Sequence, residues 1–163
     1  MLTVVSDLFP ISAPASGRLC CLDDQHPAFV HNRIFGNGPL LDVAGNQIVA
    51  PFSAVVDDIS ASGDYIRLRH PSASVLTLIL GDGRCFQQHP ALVRQVKRHQ
   101  QVQKGDVLLN LNQSLLRASD PQQRRLAVLL EPAPTLPDSF HWAESGAISL
   151  LDSIIFDDKQ ENS

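Results

Sequence analysis

APASGRLCCLDDQHPAFVHNRIFGNGPLLDVAGNQIVAPFSAVVDDI, residues 13–59, is the stretch that decides the fold. Four turn signals separate its short apolar runs: Ala15-Ser-Gly17, Gly36-Asn-Gly38, Gly45-Asn46 and Ala50-Pro51. Gly and Pro at this density leave room only for short strands, because they set the turns while aliphatic and β-branched residues fill the pleats between them. Working outward, strands are expected at Gly17–Cys21, Pro39–Asp42, Gln47–Val49, Ala54–Ile59, Tyr65–Arg69, Val75–Leu80, Val107–Leu111 and Leu126–Leu130, with a final pair at Ala147–Leu150 and Ser153–Phe156. Tyr65-Ile-Arg-Leu-Arg alternates like a half-exposed strand, whereas Val75-Leu-Thr-Leu-Ile-Leu is nearly all apolar, like a strand covered on both faces. His70-Pro-Ser-Ala-Ser between them is a hairpin loop. Apolar residues at Ala91, Leu92, Val93 and Val96 predict a short helix over Pro90–Arg98, and Asn112-Gln-Ser-Leu-Leu-Arg predicts a second, ended by Pro121. Many short strands at close spacing make the chain all-β, an antiparallel sandwich or barrel with a few short helices.

The 163 residues suit one domain with a single core. Its expected limits are an N-terminal arm at 1–13, the domain at 14–156 and a polar tail at 157–163. An apolar fraction of 44% with 18% charged residues is ordinary for a globular protein. A net charge of −4 argues against nucleic acid as a partner, since there is no basic excess to neutralise phosphates. Arg84, Arg94, Lys97, Arg98 and Lys104 read as a solvated helix face. Cys20, Cys21 and Cys85 form neither a disulfide framework nor a C-x-x-C pair. The N-terminal residues lack a basic leader, and no window approaches a membrane span, so the expected compartment is the cytoplasm, without membrane insertion.

The order of motifs resembles the phosphocarrier IIA proteins of the glucose branch of the bacterial sugar phosphotransferase system. That family runs A-P-x-S-G, L-x-D-x-x-D-x-V-F, G-x-G, G-N and V-A-P in the same sequence as residues 13–51 here. Gln101-Val-Gln-Lys-Gly-Asp-Val-Leu-Leu is similar to the family's V-x-x-G-D segment, Leu126-Ala-Val-Leu-Leu to the following strand, and Glu144-Ser-Gly-Ala-Ile-Ser-Leu-Leu-Asp-Ser-Ile-Ile-Phe to the closing hairpin. The resemblance spans Pro14 to Phe156 and implies the antiparallel sandwich of the duplicated hybrid motif kind.

It also implies a chemistry. In the family a histidine within L-F-V-H-F-G takes a phosphoryl group from a small carrier protein and passes it to the membrane permease. A second histidine, in N-H-x-F-S-I, orients the group. Imidazole suits the task because its nitrogen is nucleophilic near neutral pH. Matching Leu76 through Gly81 to the first motif puts Ile79 at the acceptor position, and matching Ser62-Gly-Asp-Tyr-Ile to the second puts Ser62 at the orienting one. Neither can form a phosphoramidate. Of the remaining histidines, His70 and His89 flank the strand that carries Ile79 but read as exposed or capping residues. His26 and His31 lack i,i+4 spacing, while His99 and His141 have no carboxylate or thiolate beside them in sequence. Asp23-Asp24, Asp57-Asp58 and Asp157-Asp158 read as turn and strand-end charge. No metal or cofactor is expected.

Competing readings meet specific obstacles. A biotinyl or lipoyl carrier needs a lysine at a hairpin tip, and Pro51–Val96 contains none; a metallopeptidase on the related fold needs H-x-H, which is absent. The expected function is therefore that of a IIA-like regulatory or adaptor module that binds proteins, drawn from the phosphotransferase system or from regulated metabolic enzymes, with self-association as another option. Its partner-binding face is placed at Val75, Leu78, Ile79, Leu80 and Asp82. The alternative is a working phosphocarrier that relays through a displaced histidine.

Overall fold

A computed structural model describes residues 12–20, 40–71, 73–81, 91–118, 124–131, 140–142, 146–148 and 155–157. Among these the chain forms strands β1 (Gly17–Cys20), β2 (Leu40–Val43), β3 (Gln47–Val49), β4 (Ala54–Ile59), β5 (Tyr65–Arg69), β6 (Val75–Leu80), β7 (Leu92–Arg94), β8 (Gln101–Val102), β9 (Val107–Leu111), β10 (Arg125–Glu131), β11 (Phe140–Trp142), β12 (Gly146–Ile148) and β13 (Ile155–Asp157). Among the described residues the one helix is short, α1 (Gln113–Arg117), between β9 and β10. The large sheet runs β12-β1-β2-β10-β6-β5-β4-β8, the small one β3-β9-β7, and β11 pairs with β13. Every strand pairing is antiparallel.

Period-two alternation divides the large sheet into two faces. On its inner face Leu76, Leu78 and Leu80 of β6 join Ile66 and Leu68 of β5 and Leu126, Val128 and Leu130 of β10. The small sheet supplies Ile48, Leu92, Leu108, Leu109 and Leu111 to the same core. On the other face Leu40, Ile79, Ala127 and Leu129 form a separate buried cluster against which Tyr65 packs. All six residues of β6 are buried, as its nearly unbroken apolar sequence requires.

The β5–β6 hairpin closes where expected: His70 N–H donates to the Ser74 carbonyl at 2.8 Å and Ala73 N–H to the His70 carbonyl at 2.9 Å. Asn112 caps α1, its side chain accepting from the Leu115 N–H at 3.3 Å. Gly105, at φ +91°, makes the turn that launches β9, and Asp106 Oδ2 accepts from Gln103 N–H at 2.9 Å across it.

One expectation is corrected. The helix predicted over Pro90–Arg98 is replaced by β7, where Leu92 pairs with Leu111, Val93 with Asn110 and Arg94 with Leu109. Leu92 is buried while Val93 is 56% exposed and Arg94 is exposed too, so the ladder to β9 rather than an apolar helical face fixes the segment. Arg94, Lys97, Arg98 and Lys104 are exposed as expected, but on a strand and its turns; Arg84 lies outside the described residues. Of the expected closing hairpin, residues 149–154 lie outside the described residues; among the described ones β12 pairs with β1 and β13 with β11.

Gly17 is fixed by close approach. A Cβ there would lie 2.1 Å from the Asp42 carbonyl oxygen on the paired strand. Gly17→Ala should force the strands apart and cost about 2–3 kcal/mol. A melting temperature lowered by roughly 5–10 °C is the expected reading, and an unchanged melt would contradict the β1–β2 packing.

Candidate functional site

The position matched to the family acceptor lies in a row that crosses four strands. Leu40 on β2 is opposite Ala127 on β10, Ala127 is opposite Ile79 on β6, and Ile79 is opposite Tyr65 on β5. Directly opposed residues share a face, so these side chains stand side by side. Ile79 is 5% exposed, closed in by Leu40, Ala127, Leu129 and the Tyr65 side chain. Nothing in the row carries a nucleophilic nitrogen, and the Tyr65 hydroxyl is its one polar group.

Ser62, matched to the orienting histidine, sits in the β4–β5 turn rather than on the row. Its hydroxyl donates to Asp64 Oδ1 at 2.8 Å, and Ser60 Oγ donates to the same oxygen at 2.5 Å. Ser60 Oγ in turn accepts from Gly63 N–H at 3.2 Å and Tyr65 N–H at 3.1 Å. Gly63 adopts φ +89° to allow the turn. This small network uses the Ser62 hydroxyl to hold the start of β5, where the Asp64 carbonyl accepts from Leu80 N–H at 2.8 Å. It is a brace for the hairpin.

The expected partner face is placed differently from the expectation. Val75, Leu78, Ile79 and Leu80 are all buried, with Leu78 and Leu80 in the main core and Ile79 on the opposite face of the sheet. None of the four is presented to solvent, because a strand at the middle of a covered sheet has no free side. Asp82 lies outside the described residues, as do Cys21, Cys85, His26, His31 and His89.

His70 is buried, not exposed. It is 7% accessible and stacks edge-on against Phe52 with ring centroids 5.1 Å apart. With Ser53, Arg69, Gln101 and Asp106 it lines an open cavity of about 860 Å³. The cavity is at the far end of the hairpin. Arg69 opposite Val75 is four residue pairs from Tyr65 opposite Ile79, about 13 Å along the strands. Among the described residues no three His, Cys, Asp or Glu side chains come together as metal ligands would.

Sequence reasoning missed the ion pairs that lie toward the far end of the hairpin from the row. Arg69 grips Asp57 with two hydrogen bonds, Nε to Oδ1 at 3.2 Å and Nη2 to Oδ2 at 3.0 Å. Arg67 lies 3.7 Å from Asp57 and 3.5 Å from Glu131. The hydrogen bond from Arg69, with the charges of Arg69, Arg67 and Arg98, holds the Asp57 carboxyl below its ordinary value of 3.8 despite some desolvation. A depressed carboxyl stabilises the fold above its unfolded value and loses that contribution as pH falls through the folded one. Asp57→Asn should therefore cost about 0.5 kcal/mol at pH 7, a small figure because these groups are partly in water. Melts compared in acid below 3.8 should show the gap closing. A gap that persists there would mean that the charge is not what Asp57 contributes.

Burial of Ile79 sets a second expectation. Ile79→Asp would place a carboxylate among Leu40, Ala127 and Leu129 and cost about 3–5 kcal/mol. The melting temperature should drop by roughly 10 °C or more, and a melt within a degree or two of the parent would place Ile79 at the surface.

Comparison with known proteins bears on the whole arrangement. The sequence profile of the family described as phosphoenolpyruvate-dependent sugar phosphotransferase system, EIIA 1, matches residues 9–133. The glucose-specific EIIBCA component of the phosphotransferase system from Corynebacterium glutamicum is 29% identical over 120 residues, which is 69% of this chain and 17% of that protein. The chain thus spans about a sixth of the length of that relative. Glucose permease IIA from Mycoplasma capricolum superposes with a TM-score of 0.74 over 89% of this chain and 92% of the other, at 17% identity, a likeness of fold. The same antiparallel sandwich is reached from the pairing of β10, β6 and β5, from the core and from the structural match, and the chain belongs to the EIIA 1 family of the phosphoenolpyruvate-dependent sugar phosphotransferase system.

Proposed function

We propose that this chain is a glucose-type IIA domain that has given up phosphoryl relay and serves in the cytoplasm as a regulatory or adaptor module for protein partners. The observation that carries the reading is Ile79, an aliphatic side chain at the matched acceptor position, buried between Leu40, Ala127, Leu129 and Tyr65. A relay needs a nitrogen that an incoming phosphoryl group can reach in line, and positioned geometry supplies much of the rate in such transfers. Here the matched position offers hydrocarbon, and Ser62 at the second is engaged with Asp64.

Family members meet their carrier protein, permease and regulated enzymes at the face around the relay position. A member that cannot be phosphorylated would hold one binding state regardless of sugar flux, which suits an adaptor. Because Val75, Leu78, Ile79 and Leu80 are core, contact at that face falls to its polar border, where Arg67, Asp57 and Glu131 remain partly open to water. The second reading keeps the relay on a displaced histidine. Its one specific support is His70, which lines a cavity wide enough for a docked group.

Incubation with phosphoenolpyruvate and the upstream relay proteins separates the two readings. The adaptor reading expects no acid-labile, base-stable label on the chain. It expects none on Ile79→His either, since an imidazole enclosed by apolar side chains lacks an orienting partner and resists the charged form. Label that disappears in His70→Gln would establish the displaced relay instead.

A further inference from the structure

The outer face of the large sheet carries a second cross-strand row beside that of Ile79, of opposite character. Arg18 on β1 and Arg125 on β10 are both directly opposite Asp42 on β2. Asp42 is two residues from Leu40, so this row lies about 7 Å from the apolar one. Arg124, in the turn entering β10, reaches the same carboxylate with Nε 3.7 Å from Asp42 Oδ1. That distance is an ion contact and too long for a hydrogen bond. The Arg124 Nε is buried with no hydrogen-bond partner among the described residues.

Helix α1 adds a further cation. Gln113 Nε2 donates to the carbonyls of Val43 and Gly45, which pins the first turn of α1 onto the β2–β3 connection. Arg117 follows at i+4 and shares that face of the helix. The outcome is an open cavity of about 520 Å³, lined by Ser16, Gly17, Arg18, Asp42, Arg117 and Arg124 among others. Three arginines and one aspartate line it, in a chain whose net charge is −4. Local cationic excess against the sign of the whole molecule is what an anion site requires. Guanidinium forks match the paired oxygens of phosphate, and several forks around one cavity suit a tetrahedral dianion better than a planar monoanion.

We infer that this cavity binds a phosphate monoester non-covalently through Arg117, Arg124 and Arg18. The site lies beyond the proposed adaptor role and stands whether or not any histidine is phosphorylated. The full chain should be titrated with phenyl phosphate by calorimetry at fixed ionic strength in chloride, with benzoate as the planar monoanion carrying the same ring. Saturable binding of phenyl phosphate is expected, with benzoate at least tenfold weaker. Arg117→Gln, on an exposed position of α1, should weaken phenyl phosphate at least tenfold, and Arg124→Gln should do the same where it folds. Lys104→Gln, an exposed cation outside this cavity, should leave the affinity unchanged. Absence of saturable binding, equal affinity for the two probes, an unchanged affinity in Arg117→Gln, or an equal loss in Lys104→Gln would each overturn the assignment.

Discussion

The placement of β6 between β10 and β5 constrains the rest of the molecule. A strand paired on both edges and covered on both faces has no position that can tolerate an unsatisfied polar group, so its sequence must be apolar or carry groups with partners. Val75-Leu-Thr-Leu-Ile-Leu meets that demand, and Thr77 is its one polar member. Its even positions Leu76, Leu78 and Leu80 build the core shared with the small sheet, while Ile79 on the other face joins Leu40, Ala127 and Leu129 in the second cluster. Any chemistry at residue 79 would have to be carried by this same strand. The alternation that makes the sandwich thus also decides what the matched acceptor position can be.

Isoleucine there is part of a concerted composition. A lone aliphatic in a polar pocket would leave neighbours expecting a partner; instead Leu40 and Ala127 flank Ile79 across three strands, and Tyr65 stands on its far side. Ser62 does not compensate from the second position, because the β4–β5 turn directs its hydroxyl to Asp64. In the proposed reading the two departures from the family pattern are consistent with each other. A substitution at one site leaves the other still unsuited to phosphoryl transfer, since proximity and orientation are needed together.

Much of the fold was legible in the sequence because its signals are local. Tyr65–Arg69 alternates, Val75–Leu80 does not, and the hairpin between them closes over five residues, so pattern and turn chemistry suffice. Residues 90–98 were misread because Ala91, Leu92, Val93 and Val96 fit a short helical face, whereas the partner that makes Leu92–Arg94 a strand is β9, well over ten residues downstream. Tertiary pairing overrode local preference there. His70 was expected in water since loops are usually exposed; the contact with Phe52 that buries it comes from before β4. For the acceptor position, residue identity was readable from the motif, but its enclosure depended on β2 and β10, which no local pattern joins to β6.

The arginine row was illegible for the same reason carried further. Arg18, Asp42, Arg117 and Arg124 are scattered over more than a hundred residues, and none sits in a charge run that composition would flag. They converge because β2 lies between β1 and β10, and because Gln113 ties α1 to the β2–β3 turn. The outer face therefore has an electrostatic gradient along β2, from hydrocarbon at Leu40 to clustered guanidinium around Asp42 within one step of the pleat. A phosphorylated group approaching this face would find no acceptor at Ile79 and a cationic cavity beside it. The proposed site would hold a phosphate ester by charge alone, with no bond formed to the protein.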